Sequence, residues 1–276
     1  MTNGNGAGRS RGEHIIVSRV CKRFGDFYAL RDVDMTIQRG DIAVIIGGSG
    51  AGKTTLLKIL IGLDKPTSGS IVIDGRDIVG LGETELNRVR KKFGMVFQYS
   101  ALLDSLSVLE NVAFPLREHT KLRDREIRTR VREKLGILGL EGTENRFPSQ
   151  LSGGMRKRVG LARALMLEPE AIMYDEPTSG LDPITCRMVD ELIVETRERF
   201  GVTSIVISHD MAGALRIADY IHLLAEGRVV ACGTPRELVR GNSPLAQEFF
   251  ESSGIAAEAL VEATPERAEV KYKRPE

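Results

Sequence analysis

The eight residues Gly47-Gly48-Ser49-Gly50-Ala51-Gly52-Lys53-Thr54 fit the pattern G-x-x-x-x-G-K-[ST] and constrain this chain more than any other feature. They follow an apolar strand, Asp41–Ile46, and lead into a helix-forming run, Thr55–Ile61. Glycines let successive backbone N–H groups turn inward around a phosphate, and the helix N-terminus adds partial positive charge. In such a loop Gly47, Gly48, Ser49, Gly50, Ala51 and Gly52 cradle a triphosphate, with Thr55 opening the helix. Lys53 reaches the β- and γ-phosphates, and the Thr54 hydroxyl ligates Mg²⁺. Alone, the loop specifies a nucleotide and no chemistry beyond it.

Composition narrows the setting. The 276 residues suffice for a sizeable core, and 42% hydrophobic with 28% charged content is that of an ordinary soluble globular protein. A net charge of +1 gives no global electrostatic pull toward nucleic acid or anionic lipid. The longest uncharged runs, Ile42–Gly52 and Phe93–Leu103, are eleven residues each; a bilayer-spanning helix needs about 18 or more. Residues Met1–Gly12 lack the apolar centre of a secretory signal and read as a disordered tail. Cys21, Cys186 and Cys232 lack metal-ligand spacing and read as free thiols of a reducing cytosol. Any membrane role then comes through a partner.

Strand-like runs at Ile15–Val20 and Val33–Ile37, with Ser70–Asp74, predict an N-terminal antiparallel element. Glu83–Lys92 reads as a short helix and Phe93–Phe97 as a buried strand. From about Ser105 to Glu168 the pattern is helical, as in Glu126–Leu138 with Ile127, Val131, Leu135 and Leu138 on one face. Its other face, with Arg125, Arg128, Arg130, Arg132 and Lys134, reads as solvated rather than nucleic-acid-binding, because acids are interleaved and aromatics absent. Alternation then resumes: strand Ala171–Tyr174, helix Pro183–Phe200, strand Thr203–Ile207, helix Met211–Ala218, and a hairpin of Tyr220–Leu224 with Arg228–Ala231. Such βαβ order predicts an α/β fold with a mainly parallel sheet, into which the helical block is inserted.

A second segment, Leu151-Ser152-Gly153-Gly154-Met155, precedes the helical run Met155–Leu167. A hydroxyl, two bare glycine N–H groups and a helix N-terminus make an anion site. Further on, the strand Ala171–Tyr174 ends in Asp175-Glu176. These segments, in this order with the phosphate loop, resemble the ATP-binding cassette (ABC) ATPases over about Ile15–Gly254. The resemblance implies a P-loop NTPase (RecA-like) nucleotide-binding domain over 14–254, with a helical subdomain at about 105–168 and a C-terminal extension at 255–276. It implies that Asp175 holds Mg²⁺ through its water shell and that Glu176 polarises the water attacking the γ-phosphate. Gln98 matches a glutamine that ligates Mg²⁺, His209 a histidine that contacts the γ-phosphate, and Ser179–Asp182 a loop through which one site senses the other. Phe24 fits the aromatic that stacks on adenine, with Tyr28 as the alternative. Ser152, Gly153 and Gly154 contact the nucleotide of another subunit, so a chain with one set of motifs is expected to work as a homodimer.

Met155 departs from the glutamine most members carry. With Ala113–Thr120 and Asp182–Thr185, it makes the chain look like the ATPases of Mla/Mce lipid-transport systems. That resemblance implies ATP and Mg²⁺ as cofactors, multi-spanning permease subunits as partners, and an MCE-domain substrate-binding protein reached through them. It also implies a peripheral location on the cytoplasmic side of the inner membrane, a lipid substrate carried by the complex, and no nucleic acid. The ATP motifs alone equally allow a polar-solute importer. A soluble ABC protein acting on nucleic acid or ribosomes usually carries two cassettes or long insertions, and this chain has neither. Gln98–Pro115, with Ala101, Leu102, Leu103 and Leu106, is expected to dock the permease. Leu260 and Val261 are candidate anchors on the opposite ATPase subunit, with disorder of the extension as the alternative.

Overall fold

A computed structural model of the chain describes residues 12–98, 100–241, 244–252 and 257–263. The order begins β1 (Glu13–Phe24), β2 (Phe27–Gln38), β3 (Ile42–Ile46), α1 (Lys53–Leu60), β4 (Ser68–Ile73) and β5 (Arg76–Asp77). Next come α2 (Glu83–Arg90), β6 (Phe93–Val96), α3 (Val108–His119), α4 (Asp124–Ile137) and α5 (Gly153–Ala164). The chain continues with β7 (Ala171–Asp175), α6 (Pro183–Phe200), β8 (Thr203–Ser208), α7 (Met211–Ile217), β9 (Tyr220–Ala225) and β10 (Arg228–Gly233). Three further helices follow among the described residues: α8 (Pro235–Arg240), α9 (Pro244–Ser252) and α10 (Ala257–Ala263). Among the described residues no helix is long and apolar enough to cross a membrane.

Two sheets result. The first is antiparallel, in the order β2-β1-β4-β5; the second runs β10-β9-β3-β8-β7-β6 and is parallel except for the β9–β10 hairpin. β3 is buried on both faces, which is why its sequence is a continuous apolar run. Its Ala43 and Ile45 face α1, together with Met173, Ile205 and Ile207 from neighbouring strands. The antiparallel sheet covers α1 from the other side with Ile15, Val17, Leu30, Val33 and Met35. Enclosed between two sheets, α1 buries Leu56, Leu57, Ile59 and Leu60 and leaves Thr54 and Lys58 exposed. On the opposite face of the parallel sheet, Ile42, Val44, Ile46, Ile172 and Val206 pack with residues of α5, α6 and α7. A third core belongs to the helical subdomain, where Val108, Val112, Leu116, Ile127, Val131 and Leu135 meet Val159 and Ala162 of α5.

Several elements differ from the sequence reading. β1 and β2 each run twelve residues, beyond the apolar runs that mark them. Their outer face is exposed, and Arg19 and Asp32 sit at φ +46° where the register shifts, so apolar alternation breaks before pairing does. α5 begins at Gly153, two residues earlier than expected, because Ser152 caps it. α8 and α9 were not anticipated, although Thr234 and Glu237 form a capping box that marks α8. The acids on α4 pair with its arginines, Arg128 with Asp124 at 2.6 Å and Arg130 with Glu126 at 3.0 Å. Val261, expected as an anchor on another subunit, is buried in this chain's own core with Leu238, Ala246 and Phe250. The Leu260 side chain, residues 1–11 of the expected Met1–Gly12 tail, and residues 264–276 lie outside the described residues.

At the far end of the parallel strands an ion-pair network ties the sheets together. Arg39 bonds Asp74 and, at 2.8 Å, Glu170; Lys92 bonds the same two acids. His14, buried beside them, lies 2.7 Å from Thr203 Oγ1. Burial first and the Arg39 guanidinium second push the His14 imidazole down to about 4. Burial alone dominates at His222, also lowered to about 4. Both rings are therefore neutral in the fold, while the unfolded chain protonates them near pH 6.5. Their contribution is complete above that pH and is lost as pH falls toward 4. Urea unfolding across pH 6.5 to 4 should show a weaker pH dependence in His222→Leu than in the parent, by up to about 1.4 kcal/mol per pH unit. Identical slopes would refute a neutral buried His222.

Candidate active site

The phosphate loop joins the carboxyl end of β3 to α1 through contacts that only glycine permits. A Cβ on Gly47 would lie 2.2 Å from Leu224 O, and one on Gly52 would lie 2.6 Å from Ala29 O. Gly52 also has φ +103°, in the region that side chains avoid. Gly48 and Gly50 face open space, as the inner wall of a cradle must. Lys53, at the first position of α1, folds back so that Nζ donates to Gly47 O at 2.8 Å and Gly48 O at 3.1 Å. Its ammonium thus sits against the loop it is expected to serve. Ser49, Ala51, Thr54 and Thr55 lie within the same turn and the start of α1.

β7 brings Asp175 and Glu176 to the same edge, two strands from β3. Burial first, then the neighbouring Glu176 charge, holds the Asp175 carboxyl above its ordinary range. Glu176 takes φ +48° and is held there by its N–H, which donates to Ile207 O at 2.8 Å. A non-glycine residue in this conformation stores strain, and such strain clusters at functional positions. The Glu176 carboxylate is fixed at both oxygens. Oε2 lies 2.7 Å from His209 Nδ1, and Oε1 lies 3.6 Å from Lys53 Nζ. Structure therefore brings Lys53, Glu176 and His209 together. Thr54, Gln98 and Asp175 offer only hard oxygen donors, the set Mg²⁺ selects, and a cation there would relieve the charge crowding at Asp175.

The remaining expected residues have distinct surroundings. Gln98 Nε2 donates to Ser179 Oγ at 3.0 Å, linking it to the loop before α6. Asp182 caps α6: its Oδ1 accepts the N–H groups of Ile184 and Thr185, both at 3.0 Å. The Thr185 hydroxyl and those N–H groups hold the Asp182 carboxyl below its usual range, so its engagement is with the helix. Ser152 and Gly153 are exposed at the start of α5, on the helical subdomain, with Gly154 partly covered. Phe24 is 52% exposed at the end of β1, which excludes a core role. Arg23 and Arg31 both lie over the Tyr28 ring, at 5.5 and 5.3 Å, whereas among the described residues Phe24 has only Lys22, at 4.9 Å. Phe24 is thus the freer platform. The sequence reading passed over Ser179 as an individual contact and over Lys157, whose ammonium bonds the Gln98 carbonyl. A lysine inside a helix that otherwise buries Val159, Leu161 and Ala162 was the available signal.

Gly52→Ala is expected to cost about 1–3 kcal/mol of stability and to weaken triphosphate binding, since it meets both strain and a backbone clash. Gly48→Ala, facing open space, should stay within about 0.5 kcal/mol of the parent. Thermal unfolding with and without nucleotide checks both, and equal costs at the two positions would contradict the cradle geometry.

The ABC transporter family matches residues 30–179. The intermembrane phospholipid transport system ATP-binding protein MlaF of Haemophilus influenzae is 43% identical over 242 residues, 87% of this chain and 92% of that protein. The probable ribonucleotide transport ATP-binding protein mkl of Mycobacterium tuberculosis is 41% identical over 255 residues, 92% of this chain and 71% of its own length. A solved dimeric ATP-binding cassette in a post-hydrolysis state, bound to ADP and Pi, has a TM-score of 0.71 at 36% identity, covering 82% of this chain and 99% of that one. With a family match over more than half its length and relatives this similar across most of the rest, the chain belongs to the ABC transporter family, as an ATP-binding, ATP-hydrolysing subunit.

Proposed function

We propose that this subunit powers phospholipid transport through an Mla-type permease complex, docked on the cytoplasmic side of the inner membrane and linked through the permease to an MCE-domain protein. The observation that carries the reading is the 43% identity to MlaF across 92% of that protein, which takes in the Leu151–Met155 segment. Two copies are expected to enclose two ATP molecules, each held by one copy's phosphate loop and by Ser152, Gly153 and Gly154 of the other.

Within one copy, Lys53 and the loop N–H groups hold the β- and γ-phosphates, and Phe24 stacks on the base. Glu176 accepts a proton from the attacking water. His209 fixes the Glu176 carboxylate through the 2.7 Å contact and stays open enough, at 58% exposure, to reach a γ-phosphate. Thr54, Gln98 and Asp175 would hold Mg²⁺, which supplies charge neutralisation for the phosphates when bound. Asp182 acts by fixing the start of α6. Replacing Glu176 with Gln should leave ATP affinity near the parental value and slow hydrolysis by about 10²–10⁴. Lys53→Ala should instead weaken ATP binding itself. Normal turnover by Glu176→Gln would sink its assignment as the base.

The surface for the permease needs one revision. Leu102, expected to line it, packs against the helical-subdomain core, whereas Leu103 is 45% exposed and Phe114 equally so. Leu103→Asp should therefore retain ATP binding and lose ATP-driven phospholipid movement when reconstituted with an Mla-type permease in liposomes. Full lipid transport by that variant would refute the docking surface. Coupling of the parent only to a ribonucleotide or other polar-solute permease would refute the lipid assignment.

A further inference from the structure

One face of α5 carries Lys157, Gly160 and Arg163, three residues apart and so aligned along the helix. All three meet the turn that follows β6. Lys157, only 8% exposed, donates its ammonium to the backbone carbonyl of Gln98. Arg163 donates to Ser100 O and Ala101 O, both at 2.7 Å. Between these cations Gly160 makes room for the turn: a Cβ there would lie 3.2 Å from Ser100 Cβ and 3.5 Å from Ser100 Cα and O. Ser100 and Ala101 take φ of +61° and +42°, left-handed values that neither side chain favours. Such a turn persists only where its surroundings over-determine it.

A purely stabilising role accounts poorly for this arrangement. Burial is the dominant influence on both cations and lowers the pKa of each. Taking a cation out of water is unfavourable and offsets part of what its bonds contribute to stability. What cations supply instead is directional bonding to the carbonyls of Gln98, Ser100 and Ala101. The same glutamine reaches the other way, through Nε2, to Ser179. And α5 starts at Ser152-Gly153-Gly154, the segment expected to meet another copy's nucleotide.

We propose that Lys157, supported by Arg163, is a positioning residue that fixes the Gln98 backbone to α5. The glutamine facing a copy's own nucleotide and the segment facing its partner's nucleotide then move as one rigid unit. This rests on the reading of Gln98 given above.

The test is steady-state hydrolysis by the full-length dimer, with ATP affinity and thermal unfolding recorded in parallel. Gln98→Ala is expected to lower kcat by about tenfold or more. Lys157→Met, which keeps the site filled, should lower kcat by roughly five- to tenfold with KM within about twofold, a split that general loosening of the fold does not give. In the double variant the losses should not multiply: it should match Gln98→Ala within about twofold. Gly160→Ala raises helix propensity while displacing Ser100, and should lower kcat without lowering the melting temperature. Parental kcat in Gln98→Ala overturns the reading of Gln98 and this proposal with it. A slow Gln98→Ala beside a Lys157→Met at parental kcat overturns the proposal alone, as do multiplying losses in the double variant. If Lys157→Met does not fold, Gly160→Ala decides, and parental kcat there refutes the proposal.

Discussion

Backbone packs directly on backbone at the base of the phosphate loop, and most of the architecture follows from that contact. Gly47 abuts the Leu224 carbonyl at the end of β9, and Gly52 and Gly227 both abut the Ala29 carbonyl on β2. Hydrogen bonds reinforce the junction: Arg31 N–H donates to Gly227 O at 2.8 Å, and Gly227 N–H donates to Ala51 O at 3.1 Å. Three segments far apart in sequence thus meet where no side chain fits. The antiparallel sheet is held against the loop, and the loop is held open by neighbours that cannot collapse into it. A cradle of bare N–H groups needs such rigidity, since flexible glycines would otherwise lose much entropy on each binding event.

That junction also explains why α1 buries Leu56, Leu57, Ile59 and Leu60 and why the described residues form three cores rather than one. α1 fills the gap between the two sheets, so the first core forms on one face of β3 and the second on the other. The helical subdomain keeps its own core and joins the rest chiefly through α5. Val159, Ala162 and Met166 point into the subdomain, while Leu161 and Leu165 point into the sheet core. A helix shared in this way can transmit a displacement of the subdomain to the sheet edge, because packed interiors resist local deformation.

Much of this was legible where local chemistry carries its own punctuation. α6 matches its expected span, Pro183–Phe200, because Asp182 caps one end and Gly201, at φ +63°, closes the other. The β9–β10 turn was legible from Glu226-Gly227, which take φ of +48° and +75°. The phosphate loop, Glu176 and His209 were legible as motifs, and only the structure shows that Glu176 and His209 touch. What escaped the sequence depends on distant partners. The far halves of β1 and β2 are held by pairing rather than by apolar pattern. Leu102 and Leu103 look alike as letters yet face opposite ways. Val261 lies in a segment too polar to suggest a core, and it becomes buried only because α7 and α8 offer a surface for it.

The phosphate loop enters α1 and not the other helices that start from the same edge of the sheet, and the helix caps account for the difference. α1, α6 and α7 follow β3, β7 and β8, and each begins with N–H groups that lack intrahelical partners. At α6 the Asp182 carboxylate accepts two of them, and at α7 the Asp210 carboxylate accepts the N–H of Gly213. At both ends the chain itself thus takes up part of the free N–H capacity and places negative charge that repels an anion. α1 is preceded by Gly52, which has no side chain to offer, and its first residue is a lysine. Its N–H groups are left for a ligand, and the nearest charge is positive. Selectivity among three similar helix ends thus reduces to the capping residue, glycine in one case and aspartate in the other two.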